Sequence, residues 1–141
     1  IRRGMFSAQP GQAVVELMVA LSVVMLLLVG LMDFAPALVN AGQLSQAVRE
    51  GVDYGHMNPS DTAGINARVR NAAPTLALPD ASIVVTCNKK TSNALQACAS
   101  SKVGDTVTVQ ATFAYTPKFG IFIALVGQSI TLTRSATSLI Y

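Results

Sequence analysis

Histidine and cysteine are scarce in this sequence of 141 residues, which holds one histidine, His56, and two cysteines, Cys87 and Cys98. A zinc centre takes about three or four N, S or O ligands. No C-x-x-C or H-E-x-x-H spacing is present, so no metal is implied. Neither G-x-x-x-x-G-K-[ST] nor G-x-G-x-x-G occurs, and nucleotide binding is not indicated. Asp53, His56 and Ser60 could be taken for a hydrolytic triad, but no G-x-S-x-G accompanies them. A solvent-facing histidine at a helix end is the plainer reading. Asn58-Pro59-Ser60 is excluded as a glycan acceptor by its proline. These absences point to a protein without a cofactor and without an enzymatic activity. Charge is scarce as well, at 12% of residues against about 25% in an ordinary soluble domain. That deficit excludes a disordered chain, a coiled coil or a charge-rich nucleic-acid arm.

Apolar residues are what the sequence has in excess, at 51%, and they are concentrated. Residues 17–32 carry no charge, and residues 13–32 (AVVELMVALSVVMLLLVGLM) carry one, Glu16. Twenty residues of helix measure about 30 Å, the thickness of a bilayer hydrocarbon core. A lone span must satisfy its own backbone hydrogen bonds, so it is helical. Arg2 and Arg3 precede it, with no acid before Glu16, which places the N-terminus in the cytoplasm and exports the remainder. The rival reading is a cleaved secretory signal, for which Ala35-Pro36-Ala37 is a suitable A-x-A site. Against it, the run is longer than a signal's apolar region, acids stand at Glu16 and Asp33, and the helical pattern continues past the site.

That continuation covers residues 38–54. Leu44, Val48, Gly51, Val52 and Gly55 recur at helical spacing, while Gln43, Gln46, Arg49, Glu50 and Asp53 fall on other faces. One long helix is therefore expected from near Pro10, with Ser7 as a cap upstream. Pro36 should kink or weaken it near residues 32–36. Gly55 and Asn58-Pro59 end it. Gly51 and Gly55 form a G-x-x-x-G outside the apolar span, which reads as close packing of the stem on a sheet.

Beyond Gly55 the chain turns polar. Ser60 or Asp61 can cap a short helix through Ala72, ended by Pro74. Three strand-like segments follow, at residues 81–88, 105–115 and 128–141. The second alternates strictly, with Val107, Val109, Ala111, Phe113 and Tyr115 on one face. The third repeats the pattern through Ile130, Leu132 and Ala136. A small antiparallel sheet is expected, covered by the stem helix. The link at residues 119–127 (FGIFIALVG) is unusually apolar. It reads either as a core-packing segment or as a surface touching the outer leaflet or a neighbouring subunit, with Lys118 beside it to suit a headgroup. Cys87 and Cys98 read as one disulfide in an exported domain. Closing a loop of that length is worth about 2–3 kcal/mol.

Charge is unevenly distributed. Residues 33–61 hold Asp33, Glu50, Asp53 and Asp61 against Arg49, a net of −3. Residues 62–141 hold seven bases against Asp80 and Asp105, a net of +5. The bases are scattered and lack interleaved aromatics, so a solvated face is favoured over a nucleic-acid surface.

Glu16 lies about one turn inside the apolar span, where a carboxylate is costly and marks function. Its context is Gly11-Gln12-Ala13-Val14-Val15-Glu16. A glycine followed by five residues ending in Glu, then an apolar helix, resembles the prepilin-peptidase signal of type IV pilin-like proteins. The match narrows with GQAVVE (11–16), LMDF (31–34) and AVREGVDYG (47–55). Together these resemble the TadE-like family, the minor pseudopilins of tight-adherence (Flp) pilus systems. Asp33, Phe34, Arg49, Glu50 and Gly51 are the motif residues beyond the signal. Departures are Leu17 where the family has an aromatic, Ala35 where it has the glycine of D-F-G, and Pro36 in place of a mid-span proline.

The resemblance implies an α+β, pilin-like fold: a leader at 1–11, a transmembrane helix at 12–35, a stem at 36–55 and an exported domain at 56–141. It implies cleavage between Gly11 and Gln12 by a prepilin peptidase. The new amine of Gln12 would pair inside lipid with Glu16 of a neighbouring subunit, each charge relieving the other's desolvation. Partners would be other pilin-like subunits, the pilus assembly platform and the lipid bilayer, in a homo- or hetero-oligomer. The location would be the inner membrane, with the C-terminal domain periplasmic or extracellular and possible incorporation in a pilus. Two other readings stand beside it: an uncleaved envelope scaffold, and an adhesin or DNA-binding pilus tip module.

Overall fold

The computed structural model of the protein describes residues 10–118, 123 and 127–141. A single helix, α1, runs from Pro10 to Gly55 over 46 residues, a length of about 70 Å at the usual rise per residue. Its two halves meet different surroundings. Residues 11–28 are exposed on every side, as expected of an apolar helix whose solvent is lipid rather than protein. The half from Ala37 onward buries Ala37, Leu44, Ala47, Val48, Gly51, Val52 and Gly55, while Gln46, Arg49, Glu50 and Asp53 stay exposed. Pro36 lies inside α1 without ending it. The expected weakening at residues 32–36 does not break the helix: a proline removes one backbone hydrogen bond, and the flanking turns carry the remainder. Ser7 lies outside the described residues.

After Gly55 the chain reverses and enters α2 (Thr62–Ala72). Asp61 is the cap, accepting a hydrogen bond from the Gly64 amide at 2.9 Å. The sheet comprises β1 (Ile83–Asn88), β2 (Leu95–Gln96), β3 (Thr106–Tyr115) and β4 (Ile130–Leu139). Its order is β2-β1-β3-β4, with every pairing antiparallel. Sequence periodicity predicts three strands; the fourth, β2, is two residues long and too short to produce a pattern. Residues 80–82 form a 3-10 turn, so β1 starts later than its apolar composition suggests. Of residues 119–127 only 123 and 127 are described, so the choice between core segment and contact surface lies outside the described residues.

The core lies between the stem half of α1, α2 and the inner face of the sheet. It joins Leu44, Ala47, Val48 and Val52 to Ile65, Val69, Leu76, Leu78, Ile83, Val109 and Ala111. The alternation read in β3 is the alternation observed, with Val107, Val109, Ala111 and Tyr115 buried and Gln110 exposed. Outside this core the wet face of the sheet is tied by hydroxyls, Thr108 to Thr137 at 2.8 Å across β3 and β4. A Cβ on Gly51 would stand 2.5 Å from Val69 Cγ2 and 3.4 Å from Val109 Cγ1. On Gly55 it would stand 3.1 Å from Ile65 Cδ1 and 3.5 Å from Val107 Cγ2. The G-x-x-x-G thus admits both α2 and β3 to the stem.

Those contacts also fix direction. Moving along α1 from Gly51 to Gly55 moves the contact on β3 back from Val109 to Val107. The helix and β3 are therefore antiparallel, and the start of β3 lies at the end of the head farthest from the apolar half of α1.

Candidate assembly site

The residues singled out by the sequence fall into two groups that the fold keeps apart. Gly11, Gln12 and Glu16 occupy the first turns of α1. Arg49, Glu50 and Gly51 occupy its last turns. Between Glu16 and Glu50 the helix alone spans roughly 50 Å.

At the N-terminal end nothing approaches the position a Gly11 Cβ would take. Gln12 Nε2 donates to Glu16 Oε1 at 3.4 Å, a contact one helical turn apart and at the long end of hydrogen bonding. Glu16 is otherwise surrounded by exposed apolar side chains, Val15 at 62% and Leu17 at 68% exposure. The acid thus sits in a surface whose other members, among the described residues, have no partner beyond their own helix. Phe34 is exposed, and Asp33 belongs to α1, its side chain lying outside the described residues. Arg49 and Glu50 point outward while Gly51 is buried. Within this motif, then, the glycine serves packing and the two charges face away from the core.

The turn from α1 to α2 is held by a group no motif indicated. Tyr54 Oη donates to Asp61 Oδ2 at 2.8 Å, and the Arg68 guanidinium lies 5.2 Å from the centre of the Tyr54 ring. The Gly64 amide, and then the Tyr54 hydroxyl, hold the Asp61 carboxyl below its ordinary range. The same bond to Asp61 is the main cause raising the Tyr54 hydroxyl above its ordinary value. The spacing of seven residues, Tyr54 to Asp61 to Arg68, was visible but carries no meaning until the turn brings the helices together.

His56 departs from the solvent-facing expectation. It is half-buried, its ring meets Tyr141 edge-on at 5.9 Å, and Nδ1 lies 3.4 Å from the Val52 carbonyl. The cause is the chain's C-terminus folding back: the Tyr141 amide donates to the His56 carbonyl at 3.5 Å. Among the described residues no hydrogen bond links Asp53, His56 and Ser60 into a relay.

Cys87 and Cys98 form a disulfide with Cα atoms 5.2 Å apart. Beside it lies the residue the sequence reading missed. Asp105 is 9% exposed. Its carboxylate accepts from the Lys90 amide at 3.0 Å, the Lys102 amide at 2.9 Å and Gln96 Nε2 at 2.6 Å. Those bonds, the Lys102 amide first, lower its pKa to about 2. An acid directly after Gly104 at the start of a strand is a faint signal for such a knot. Its partners at positions 90 and 96 could not be read from spacing.

Comparison with known proteins bears on the helix. No curated protein and no solved structure matches the chain. Residues 11–53 match the family model described as TadE-like protein, and the match covers the Gly11/Glu16 signal, Asp33-Phe34 and Arg49-Glu50-Gly51 together. Over residues 11–53 the helix is thus similar to the TadE-like family, the one its three spaced motifs resemble.

Proposed function

We propose that this chain is a membrane-anchored pseudopilin that takes part in assembling, priming or forming a tight-adherence-type pilus. One observation carries the reading: Glu16 and the Gly11-Gln12 bond stand at the start of an apolar helix whose first half is exposed and, among the described residues, finds no partner. Such a surface is stable in lipid or against copies of similar helices, and in both settings a lone carboxylate needs a cation. Cleavage between Gly11 and Gln12 by a prepilin peptidase supplies one, the amine of Gln12. Glu16 of one subunit then pairs with Gln12 of its neighbour and sets their register. The N-terminus lies in the cytoplasm, the helix in the inner membrane and the head outside it. Partners are other pilin-like subunits and the assembly platform, and the head performs no catalysis.

The test is the N-terminal mass of the protein from its native envelope. A chain beginning at Gln12, and an uncut chain after Gly11→Val, support the proposal. An uncut wild-type chain in peptidase-positive cells overturns it and leaves a fixed scaffold. Shearing separates the roles further: recovery in the filament fraction identifies a subunit, and full retention in the membrane an assembly component.

A further inference from the structure

At the end of the head farthest from the anchor, two loops meet beside the disulfide. One follows β1 and carries Lys89 and Lys90; the other precedes β3 and carries Lys102. Together with Thr91, Gln96 and Ser100 they line a cleft of about 420 Å³. This size lies within the range of ordinary ligand sites and well above what one inorganic anion fills. The lysines are exposed. Among the described residues the ion pair is Arg70 with Asp80 at 2.9 Å, so no carboxylate within 4 Å is paired with any of the three lysines.

Asp105, at the base of the cleft, keeps its negative charge and acts through space on Lys89, so three lysines against one carboxylate leave the cleft a net charge of +2. Its oxygens are taken by the Lys90 and Lys102 amides and by Gln96. It also fastens the two lysine-bearing loops to each other. The Cys87–Cys98 bond closes the first loop, and the Lys89 amide and carbonyl are engaged by Ala94 and Asn93 at 3.0 and 2.9 Å. Lys90 is further placed by Gly104, whose positive φ of 92° and missing Cβ let the lysine stem lie over the turn. The backbone that carries the three lysines is thus fixed before any ligand arrives, which lowers the ordering cost of binding.

We propose that this cleft binds an oxyanion group, phosphate or carboxylate, carried by an anionic polysaccharide outside the membrane. Lysine recognises such groups as a point charge and does not impose the planar fork that arginine does, so both anions fit. The hydroxyls of Thr91 and Ser100 suit sugar hydroxyls, while the Gln96 amide nitrogen is engaged by Asp105. Among the described residues no aromatic side chain lines the cleft, so they offer none of the stacking platform that single-stranded nucleic acid uses. The cations are gathered at one place, where a duplex would need a track of them. The inference rests on the head lying outside the membrane, as proposed above, and not on its taking part in a pilus.

The experiment uses the full chain in detergent micelles and titrates three probes at low and physiological salt: an oligogalacturonate, a glycerol-phosphate polymer and duplex DNA. The triple variant K89Q/K90Q/K102Q is compared with R68Q/R70Q/R134Q, which removes the same charge elsewhere on the head. Circular dichroism and thermal melting confirm that both are folded. The expected result is at least a tenfold loss of glycan binding in the lysine triple and less than a twofold loss in the arginine triple. K89R/K90R/K102R should retain binding. Which of the two glycans binds identifies the anion. Equal losses in both triples overturn the proposal, because net charge then suffices. No binding of either glycan, or a preference for DNA over both, also overturns it.

Discussion

Leu17 and Leu44 are the same side chain on the same helix, yet the first is 68% exposed and the second fully buried. The two halves of α1 share secondary structure and differ in composition and in what covers them. In the stem half, apolar residues recur at helical spacing because α2 and the sheet cover one side only. The first half is apolar all round, and among the described residues no segment covers any side of it. Periodicity therefore reports a partner within the chain, and its loss in a helix that remains apolar reports a partner outside it.

The sharpest way to break this comparison is to make one substitution in both halves. Leu44→Ala removes a fully buried side chain and is expected to destabilise the head by about 2–5 kcal/mol. Leu17→Ala should leave the melting of the head unchanged. Urea melts of both variants in the same detergent check it, and similar shifts for the two would show that the anchor does pack on the head.

The disulfide concerns the far end of the head. Cys87→Ser with Cys98→Ser is expected to cost about 2–3 kcal/mol through the loop it releases. The two glycines of the stem then sharpen the comparison within a single helix. Gly51→Ala places a methyl 2.5 Å from Val69 Cγ2 and should cost about 1–3 kcal/mol. Gly42→Ala meets nothing within 4 Å and should stabilise by about 0.5–1 kcal/mol, since alanine is the better helix former. Opposite signs in thermal melts are the expected outcome; equal signs would mean that α2 is not seated on Gly51.

Legibility in the sequence follows the same division. The anchor, the stem, α2 and the alternation of β3 were readable because each depends on local pattern. So was the pairing of Cys87 with Cys98, as the cysteines of an exported domain. Gly51 and Gly55 were readable as close packing but not as a seat for α2, because the partner of a glycine is not encoded beside it. β2 could not be read, since two residues carry no period. Asp105 and the burial of His56 could not be read either. Each is set by chain segments that only the folded sheet brings near, positions 90, 96 and 102 for the first and Tyr141 for the second. Of the candidate assembly site, Gly11, Gln12 and Glu16 were legible as a motif, and the folded chain adds that, among the described residues, Glu16 is hydrogen-bonded by Gln12 of its own helix.

Arg134 shows how the free side of the head is protected. β4 is the outer strand next to β3 and is ten residues long, which makes it a template for unwanted pairing. Arg134 stands in the inward-facing series with Leu132 and Ala136 yet is exposed. A charge on that series at an edge discourages a second strand from docking. Among the described residues, the edge strand is therefore a poor surface for contacts with a second strand.

The last expected effect is confined to acid solution and separates the far end of the head from the α1–α2 turn. In the folded state the Asp105 carboxyl titrates near 2, against an ordinary value of 3.8. A carboxyl with a depressed folded pKa stabilises the fold above its unfolded pKa, and that contribution is lost as pH falls through the folded one. Stability should therefore decline from about pH 4 toward pH 2 as Asp105 takes up a proton and the Lys90 and Lys102 amides lose their charged acceptor. Asp61, held low by the Gly64 amide and Tyr54, contributes a slope of the same sign. Asp105→Asn should lower stability at neutral pH and flatten the part of the acid limb that Asp105 supplies, leaving the Asp61 part. Asp61→Asn should do the reverse. Melts of both variants across that range assign each slope. An acid limb unchanged in Asp105→Asn would mean that the two lysine-bearing loops are not fastened through this carboxylate.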